Sequence, residues 1–279
     1  MIPAEFDYVA PQSLDEALQA LAQGGEDAKI LAGGHSLIPL MKLRMSQPSL
    51  LVDLRQLQDL KSVNADNGQI RLGAMVTHHR VATGNFGLAS AAAATIADQQ
   101  VRNMGTIGGT LAHGDPASDM PAVLLALEGS VVIRGSSGER EVAANDLFED
   151  FLTTAVGEGE ILTEVRFPRL EGYGYGYEKF NRRQEDWAMV AVSALVKKAA
   201  DGTCEDVRIG LTHMGSVPLR ATAAEQALRG QPLTAESIAS AASHAAEGTE
   251  PPADLNASQD YKRHLARVLT RRALTTASE

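Results

Sequence analysis

The chain has 279 residues, of which 44% are hydrophobic and 22% are charged, and its formal net charge is −10 at pH 7. The length and composition predict a globular protein of two domains, and the acidic balance argues against nucleic-acid binding. The most apolar stretch, residues 86–97, falls short of the roughly 20 residues that cross a bilayer, so no membrane span is expected.

The chain begins Met1-Ile2-Pro3-Ala4-Glu5. Neither a basic segment nor an apolar one is present there, so no signal peptide is predicted and a cytoplasmic location is expected. Ser13-Leu14-Asp15-Glu16 then matches a capping box, and apolar residues follow it at helical spacing. Gly24-Gly25 is expected to end that helix. Short apolar runs at 28–31 and 50–53 predict strands.

Hairpins and helices are predicted through the next hundred residues. In chain order they are a hairpin turn at Asp66-Asn67-Gly68, a helix over 88–100, a helix with Asp115 as its N-cap and Pro116 at its first position, a hairpin turn at Ser136-Ser137-Gly138, and a strand over 160–167 that Pro168 ends.

The composition changes near residue 168. The Gly/Tyr alternation at 172–177 predicts a linker that enters a strand, and 188–197 and 205–212 predict two longer strands. Three helical patterns complete the chain, at 221–228, 235–246 and 259–274. The irregular mixture of strands and helices predicts an α+β fold, with a first domain over 1–170 and a second over 171–279.

Cys204 is the single cysteine. An internal disulfide is therefore excluded, and so is a cysteine-ligated iron–sulfur cluster built from this chain alone. Any redox chemistry in the chain would need an organic cofactor.

The first candidate for a binding site is Ala32-Gly33-Gly34-His35-Ser36. It follows a predicted strand and precedes an apolar helical run that begins at Leu37. Adjacent glycines permit positive φ and a close approach of the backbone, and successive amides beside a helix start can bind an anion. A tight strand-to-helix turn without a ligand is the alternative.

The second candidate is Gly105-Thr106-Ile107-Gly108-Gly109-Thr110, which places hydroxyls on both sides of another glycine pair. Two such loops favour a diphosphate held from two sides. Neither loop fits the Rossmann G-x-G-x-x-G pattern, and the chain has no P-loop motif. A dinucleotide held by a different phosphate cradle stays open.

Other polar clusters give weaker signals. Asp115 and Asp119 lie four residues apart, but no further ligands are near, so a helix-capping role is favoured over a metal site. Asp119 could accept hydrogen bonds from a ribose. His78 and His79 point to different sides, as adjacent residues do, and are not expected to share a metal ion.

The segment Lys179-Phe180-Asn181-Arg182-Arg183-Gln184-Glu185-Asp186-Trp187 contains the single tryptophan. Trp187 could stack on a flat heterocycle or pack as a core aromatic where the second sheet begins. The basic helical pattern at 261–272 is typical of a packed helix with a solvated face. Docking to an acidic partner is the alternative.

Together these motifs resemble the FAD-binding medium subunits of the molybdenum hydroxylases, the group that includes carbon monoxide dehydrogenase and the flavin domain of xanthine dehydrogenase. The resemblance covers nearly the whole chain. It is carried by Phe6-Asp7-Tyr8, both glycine-pair segments, Leu51-Val52-Asp53-Leu54, Arg102-Asn103-Met104, Asp115-Pro116-Ala117-Ser118-Asp119-Met120-Pro121, Glu160-Ile161-Leu162-Thr163-Glu164-Val165-Arg166 and the Lys179 to Trp187 segment.

The resemblance implies a fold. It is an FAD-binding domain of the vanillyl-alcohol-oxidase (PCMH-like) type, made of two α/β subdomains at about 1–57 and 58–170. A C-terminal domain of the carbon monoxide dehydrogenase flavoprotein type follows, with a three-stranded antiparallel sheet and a helix bundle.

The resemblance also implies site residues, with no catalytic acid or base and no metal ligand among them. The FAD pyrophosphate would be held by the two glycine-pair segments, mainly through their backbone amides. Trp187 stands where the family most often has Tyr, and Thr110 where it often has Asn. The implied cofactor contacts are Ala32, Gly33, Gly34, His35, Ser36, Leu37, Thr106, Ile107, Gly108, Gly109, Thr110, Asp119, Leu162, Lys179 and Trp187.

The function implied by the resemblance is electron relay through noncovalently bound FAD. A large subunit with molybdopterin would oxidise the substrate, and a small subunit with two [2Fe-2S] clusters would deliver electrons to this chain, which would pass them to an external acceptor. The complex would be a heterohexamer. Two alternatives stay open: a structural or assembly subunit that has lost flavin, and a transferase that binds a sugar nucleotide.

Overall fold

The computed structural model describes residues 1–66 and 68–279. The strands are β1 (Asp7–Val9), β2 (Ala28–Leu31), β3 (Leu50–Asp53), β4 (Val63–Asp66), β5 (Gln69–Gly73), β6 (Ser130–Gly135), β7 (Gly138–Ala143), β8 (Phe148–Asp150), β9 (Thr153–Thr154), β10 (Ile161–Pro168), β11 (Tyr173–Phe180), β12 (Val190–Lys198), β13 (Cys204–Thr212) and β14 (Leu219–Arg220). The helices are α1 (Leu14–Gly24), α2 (Leu37–Lys42), α3 (His78–Thr83), α4 (Leu88–Ala94), α5 (Gln99–Met104), α6 (Ile107–His113), α7 (Asp119–Ala126), α8 (Ala144–Leu147), α9 (Thr222–Leu228), α10 (Ala235–Ser243) and α11 (Gln259–Ser278).

The N-terminal sheet is parallel, with the strand order β1-β3-β2, and α1 packs against it. Ser13 Oγ accepts a hydrogen bond from the Glu16 amide at 3.2 Å. The Glu16 carboxylate instead accepts from the Gln12 amide, so one half of the predicted capping box forms. Gly25, with φ of +58°, ends α1 as predicted.

The second sheet is antiparallel, with the order β4-β5-β10-β6-β7. Asn67, in the predicted turn between β4 and β5, lies outside the described residues. The helix predicted over 88–100 is wrong as a single helix, because α4 ends at Ala94 and α5 begins at Gln99. Ala97 has φ of +38°, and the Asp98 carboxylate caps α5 by accepting from the Val101 amide.

Helix α7 packs into the core of the second sheet on one side and against the C-terminal sheet on the other, and all eight of its residues are buried. Its predicted start at Asp115 is wrong. The Asp115 carboxylate accepts from the Ala117 amide at 2.8 Å, which closes a separate turn, and Ser118 precedes the first helical residue.

The C-terminal sheet has four strands in the order β11-β12-β13-β14, all antiparallel. The expected three strands are therefore one too few, because Leu219 and Arg220 add a short edge strand beside Gly210 and Leu211. The helices α9, α10 and α11 cover the sheet, in agreement with the three predicted patterns. Within residues 1–66 and 68–279, no helix combines the length and apolarity that a bilayer span requires.

The Gly/Tyr alternation forms most of β11, so its interpretation as a linker is wrong. Successive residues of a strand face opposite sides. A Cβ on Gly174 would lie 2.0 Å from the Ala277 carbonyl oxygen of α11, so that face brings helix and strand backbones into contact. Tyr173 and Tyr177, on the other face, pack against the core of the second sheet. The alternation thus joins the two parts of the chain.

Candidate functional site

A cleft of about 320 Å³ opens between the loop after β2 and the loop that leads into α6. We call residues 32–37 the first glycine loop and residues 105–110 the second glycine loop. The structure brings most of the sequence-predicted contacts to this cleft: Ala32, Gly33, Gly34, His35, Ser36, Leu37, Thr106, Gly108, Gly109, Thr110 and Leu162. Ile107 is not among them, because its side chain is buried in the core of the second sheet.

The two glycine loops touch each other. A Cβ on Gly33 would lie 2.4 Å from the Met104 carbonyl oxygen and 2.7 Å from the Gly105 Cα. A Cβ on Gly109 would lie 3.5 Å from the Ala32 Cβ. The loops therefore meet across the cleft, as the sequence predicts, and Gly33 has no room for a side chain on the face that makes the contact.

The first glycine loop presents unused backbone donors to the cleft. Gly34 has φ of +76°, which suits glycine, and its carbonyl accepts the Ile38 amide as α2 begins. Within the described part of the chain, the amides of residues 33–37 donate no hydrogen bond. Residues 33, 34, 36 and 37 are half-buried and His35 is exposed, so these amides are open to solvent or to a ligand, and successive amides of this kind can bind an anion.

The second glycine loop differs, because all of its amides except that of Thr106 are already bonded. Gly108 N donates to the Ala74 carbonyl at 2.9 Å, and Gly109 N donates to Thr106 Oγ1 at 3.1 Å. Ile107 and Thr110 also donate to backbone carbonyls. Among the described residues, the run of unpaired amides therefore lies in the first glycine loop, and amide contacts to a pyrophosphate stay a prediction. Gly108 serves packing, since its Cβ would lie 2.4 Å from that of Ala74.

Charge at the cleft opposes that of the whole chain. The ionisable side chains that line it are Lys29, His35 and His113, and no described lining residue carries a carboxylate. The chain as a whole has a net charge of −10. Together with the unused amides, this lining makes the cleft suitable for an anionic group despite the acidic surface.

One buried histidine lies directly behind the second glycine loop. His78 is 3% exposed, and burial, followed by the nearby charge of His35, lowers its pKa to about 4. Its Nε2 lies 3.1 Å from Thr110 Oγ1. The neighbouring His79 points away and contacts Gln99 at the surface, so the two histidines diverge as predicted.

Asp119 and Lys179 do not line the cleft. The Lys179 Nζ donates to the Asp119 carboxylate at 2.9 Å, and both side chains are at least nine-tenths buried. Tyr177 donates its hydroxyl to the other Asp119 oxygen, and burial holds the Tyr177 pKa well above its ordinary value. Asp119 therefore lies outside the cleft lining with both carboxylate oxygens bonded to β11, and its ribose contact stays a prediction from the resemblance.

Trp187 is 55% exposed and lies outside the cleft lining. Its neighbour Ala188 accepts a hydrogen bond from His213 Nδ1 at 2.8 Å. The His213 amide donates to the Pro116 carbonyl, also at 2.8 Å. Pro116 lies three residues after His113 in the chain, and His113 lines the cleft. His213 therefore joins the Trp187 segment to the turn that follows α6.

Sequence reasoning missed several lining residues. Lys29 lies within β2 and His113 ends α6, and neither has a partner pattern along the chain. Ala74 and Met75 follow β5 and reach the cleft through the fold of the second sheet. For His113 the sequence offers one signal. Gly109, in the second glycine loop, lies four residues earlier on the same short helix, so the two residues share a helix face.

Comparisons with known proteins cover both parts of the chain. The family model described as FAD binding domain in molybdopterin dehydrogenase matches residues 4–170. The family model described as CO dehydrogenase flavoprotein C-terminal domain matches residues 175–277. The matched segments together account for nearly all of the sequence.

Individual relatives match along the full length. The carbon monoxide dehydrogenase medium chain of Hydrogenophaga pseudoflava is 38% identical over 99% of this chain and 98% of its own. The glyceraldehyde dehydrogenase medium chain of Sulfolobus acidocaldarius is 37% identical over 98% of each chain. A solved carbon monoxide dehydrogenase from Hydrogenophaga pseudoflava, which lacks the Mo-pyranopterin moiety of the molybdenum cofactor, superposes with a TM-score of 0.96 at 41% identity, covering 99% of this chain and 98% of that one.

Proposed function

Since the chain belongs to the FAD-binding medium subunits of the molybdenum hydroxylases, we propose that it relays electrons through FAD held in the cleft between the two glycine loops. The family matches confirm the resemblance seen in the sequence. In the proposed relay, a large molybdopterin subunit oxidises the substrate. A small subunit with [2Fe-2S] clusters passes the electrons to this chain, and an external acceptor takes them away.

The observation that carries the proposal is the donor set of the first glycine loop. Five successive amides, at residues 33–37, have no partner among the described residues and lie against a cleft without carboxylates. A diphosphate is the part of FAD that needs such donors, because oriented amides and nearby cations compensate its charge. Gly33 and Gly108 keep the cleft walls close together, since a Cβ at either would strike backbone atoms.

The chain's residues bind and position, and they perform no acid–base step. Bound FAD supplies the one- and two-electron chemistry that protein side chains lack. The amides of the first glycine loop would hold its diphosphate, with the side chains of Lys29 and His35 beside it. Leu162 and Leu37 would provide apolar contact and exclude water.

We assign Trp187 to the flavin end of the site. Its support is the His213 anchor, which ties Ala188 and Pro116 together near the cleft. Asp119 and Lys179 support that end indirectly in this proposal, because their buried ion pair joins α7 to β11 a short distance before the Trp187 segment.

The finer organisation is also our proposal. The separate sheets β1-β3-β2 and β4-β5-β10-β6-β7 support subdomains at about 1–57 and 58–170 of the vanillyl-alcohol-oxidase type, followed by a C-terminal domain over 171–279. The heterohexameric assembly and the cytoplasmic location stay predictions from the sequence and the family.

A pair of glycine variants tests the cradle. In Gly33→Ala the new Cβ meets the Met104 carbonyl at 2.4 Å, whereas in Gly135→Ala it meets the flexible Glu160 side chain at 3.0 Å, and neither Gly135 nor Glu160 lines the cleft. We expect Gly33→Ala to lose FAD when the purified full chain is dialysed, and Gly135→Ala to retain it. Equal FAD content in both variants would contradict the cradle.

The relay needs a second measurement. The flavin-loaded chain is mixed anaerobically with the reduced [2Fe-2S] partner subunit, and the visible flavin absorption is followed. We expect that absorption to bleach with wild-type chain. Persistent flavin absorption beside a reduced partner would refute the relay while leaving FAD binding intact.

A further inference from the structure

The buried histidine behind the second glycine loop has one unexplained atom. His78 Nδ1 is buried and has no hydrogen-bond partner among the described residues, while Nε2 lies 3.1 Å from Thr110 Oγ1. Thr110 faces the cleft. The imidazole is therefore bonded on one side only, and that side leads to the cleft through a hydroxyl.

The arrangement is built into the backbone. The His78 amide donates to the Gly105 carbonyl at 2.9 Å, which fixes the start of α3 beside the second glycine loop. A Cβ on Gly105 would lie 2.9 Å from the His78 ring. Gly105 thus leaves the space that lets the imidazole reach Thr110.

The proton position follows from the two ring nitrogens. Burial keeps the imidazole neutral at pH 7, so one nitrogen carries a proton and the other a lone pair. Protonation of Nδ1 would leave a buried N–H without an acceptor, and orphaned buried N–H groups are rarer than orphaned acceptors. The proton therefore belongs on Nε2, which donates to Thr110 Oγ1.

We propose that His78 is a positioning residue that turns the Thr110 hydroxyl proton toward the cleft, where it donates to an oxygen of the FAD diphosphate. Because Thr110 Oγ1 accepts from His78, its own proton is left for another acceptor. Every amide of the second glycine loop except that of Thr106 is already bonded, and Thr106 is only 4% exposed, so the Thr110 hydroxyl is the accessible donor of that loop. The inference rests on the proposed function.

Three variants of the full chain test the proposal through the dissociation constant of FAD, measured by flavin fluorescence. Thr110→Val removes the hydroxyl at constant shape and should weaken FAD binding about tenfold, as expected for one charge-assisted hydrogen bond. His78→Met removes the donor and should weaken binding about fivefold, whereas His78→Gln, whose amide can replace Nε2–H, should stay within about twofold of wild type. Apo-protein melting temperatures of the Met and Gln variants control for folding.

Coupling separates a positioning role from a general packing role. In a Thr110→Val background, His78→Met and His78→Gln should bind FAD equally, because both act only through the hydroxyl. Nitrogen-15 NMR of the holo-protein should show the Nε2–H form of His78. Three results would overturn the proposal. They are a difference in FAD affinity between the Met and Gln variants that persists in the Thr110→Val background, equal FAD affinity of the two variants when Thr110 is present, and the Nδ1–H form of His78. Absence of FAD binding by wild type would instead refute the proposed function.

Discussion

Loss of the buried ion pair between Asp119 and Lys179 should cause a clearly measurable loss of stability. In Lys179→Met, the Tyr177 hydroxyl is the one strong partner that the described residues leave to the Asp119 carboxylate, which is about 95% buried. Breaking one partner of a buried pair costs about 3–5 kcal/mol, because an uncompensated charge stays out of water. This loss is a large share of the roughly 5–15 kcal/mol that holds a folded domain.

Urea unfolding followed by circular dichroism measures the effect. An m-value of about 3 kcal/mol per M converts the loss into a midpoint shift of roughly 1 to 1.7 M. Lys197→Met is the matched control, because its partner Glu205 is 48% exposed. An exposed pair contributes under about 1 kcal/mol, so the control should shift by less than about 0.3 M.

A second substitution tests the cause. Asp119→Asn in the Lys179→Met background removes the unpaired charge and keeps an acceptor for Tyr177, so it should recover most of the lost stability. The FAD dissociation constant of the apo-protein should change little in Lys179→Met. Two results together would show that Lys179 is a direct cofactor contact instead. Lys179→Met would unfold like Lys197→Met, and it would lose more than about tenfold in FAD affinity.

Three further outcomes are expected. Gly174→Ala should lower stability by about 1–3 kcal/mol in thermal unfolding, because its Cβ meets the Ala277 carbonyl; an unchanged midpoint would refute this packing role. The folded-state pKa of His78, about 4, lies below its unfolded value near 6.5, so this group should remove about 3 kcal/mol of stability from pH 6.5 to 4. Other groups with lowered pKa values add to the total fall, so the test is a difference: His78→Gln should lose about 3 kcal/mol less than wild type over this range, and equal losses would refute the assignment. The single tryptophan, Trp187, should lose emission when FAD binds; unchanged emission would place it away from the flavin.

Local features of the fold could be predicted because they depend on neighbours in the chain. Ser13 and Gly25 cap the two ends of α1, and each capping interaction involves only three or four neighbouring residues. The break at Ala97 could not be predicted in the same way, since the apolar pattern continues across it. The start of α7 was misplaced because the Asp115 carboxylate satisfies the nearby Ala117 amide instead of a helix.

The site shows the same division. The two glycine pairs predicted a shared cleft, because each pair signals a close backbone approach. The ion pair could not be predicted, because Asp119 and Lys179 are 60 residues apart and the sequence around either residue does not indicate its partner. The bonded amides of the second glycine loop also depend on Ala74, which only the folded second sheet brings near.

Identification of the nucleotide bound to the purified full-length chain tests the central claim most directly. Acid precipitation of the protein followed by chromatography and mass analysis of the supernatant gives both its identity and its amount. We expect a yellow protein that releases FAD at about one molecule per chain, because the unused amides at 33–37 form one diphosphate site. A folded, colourless chain that gains no flavin on incubation with FAD, or a chain that releases a sugar nucleotide, would contradict the account.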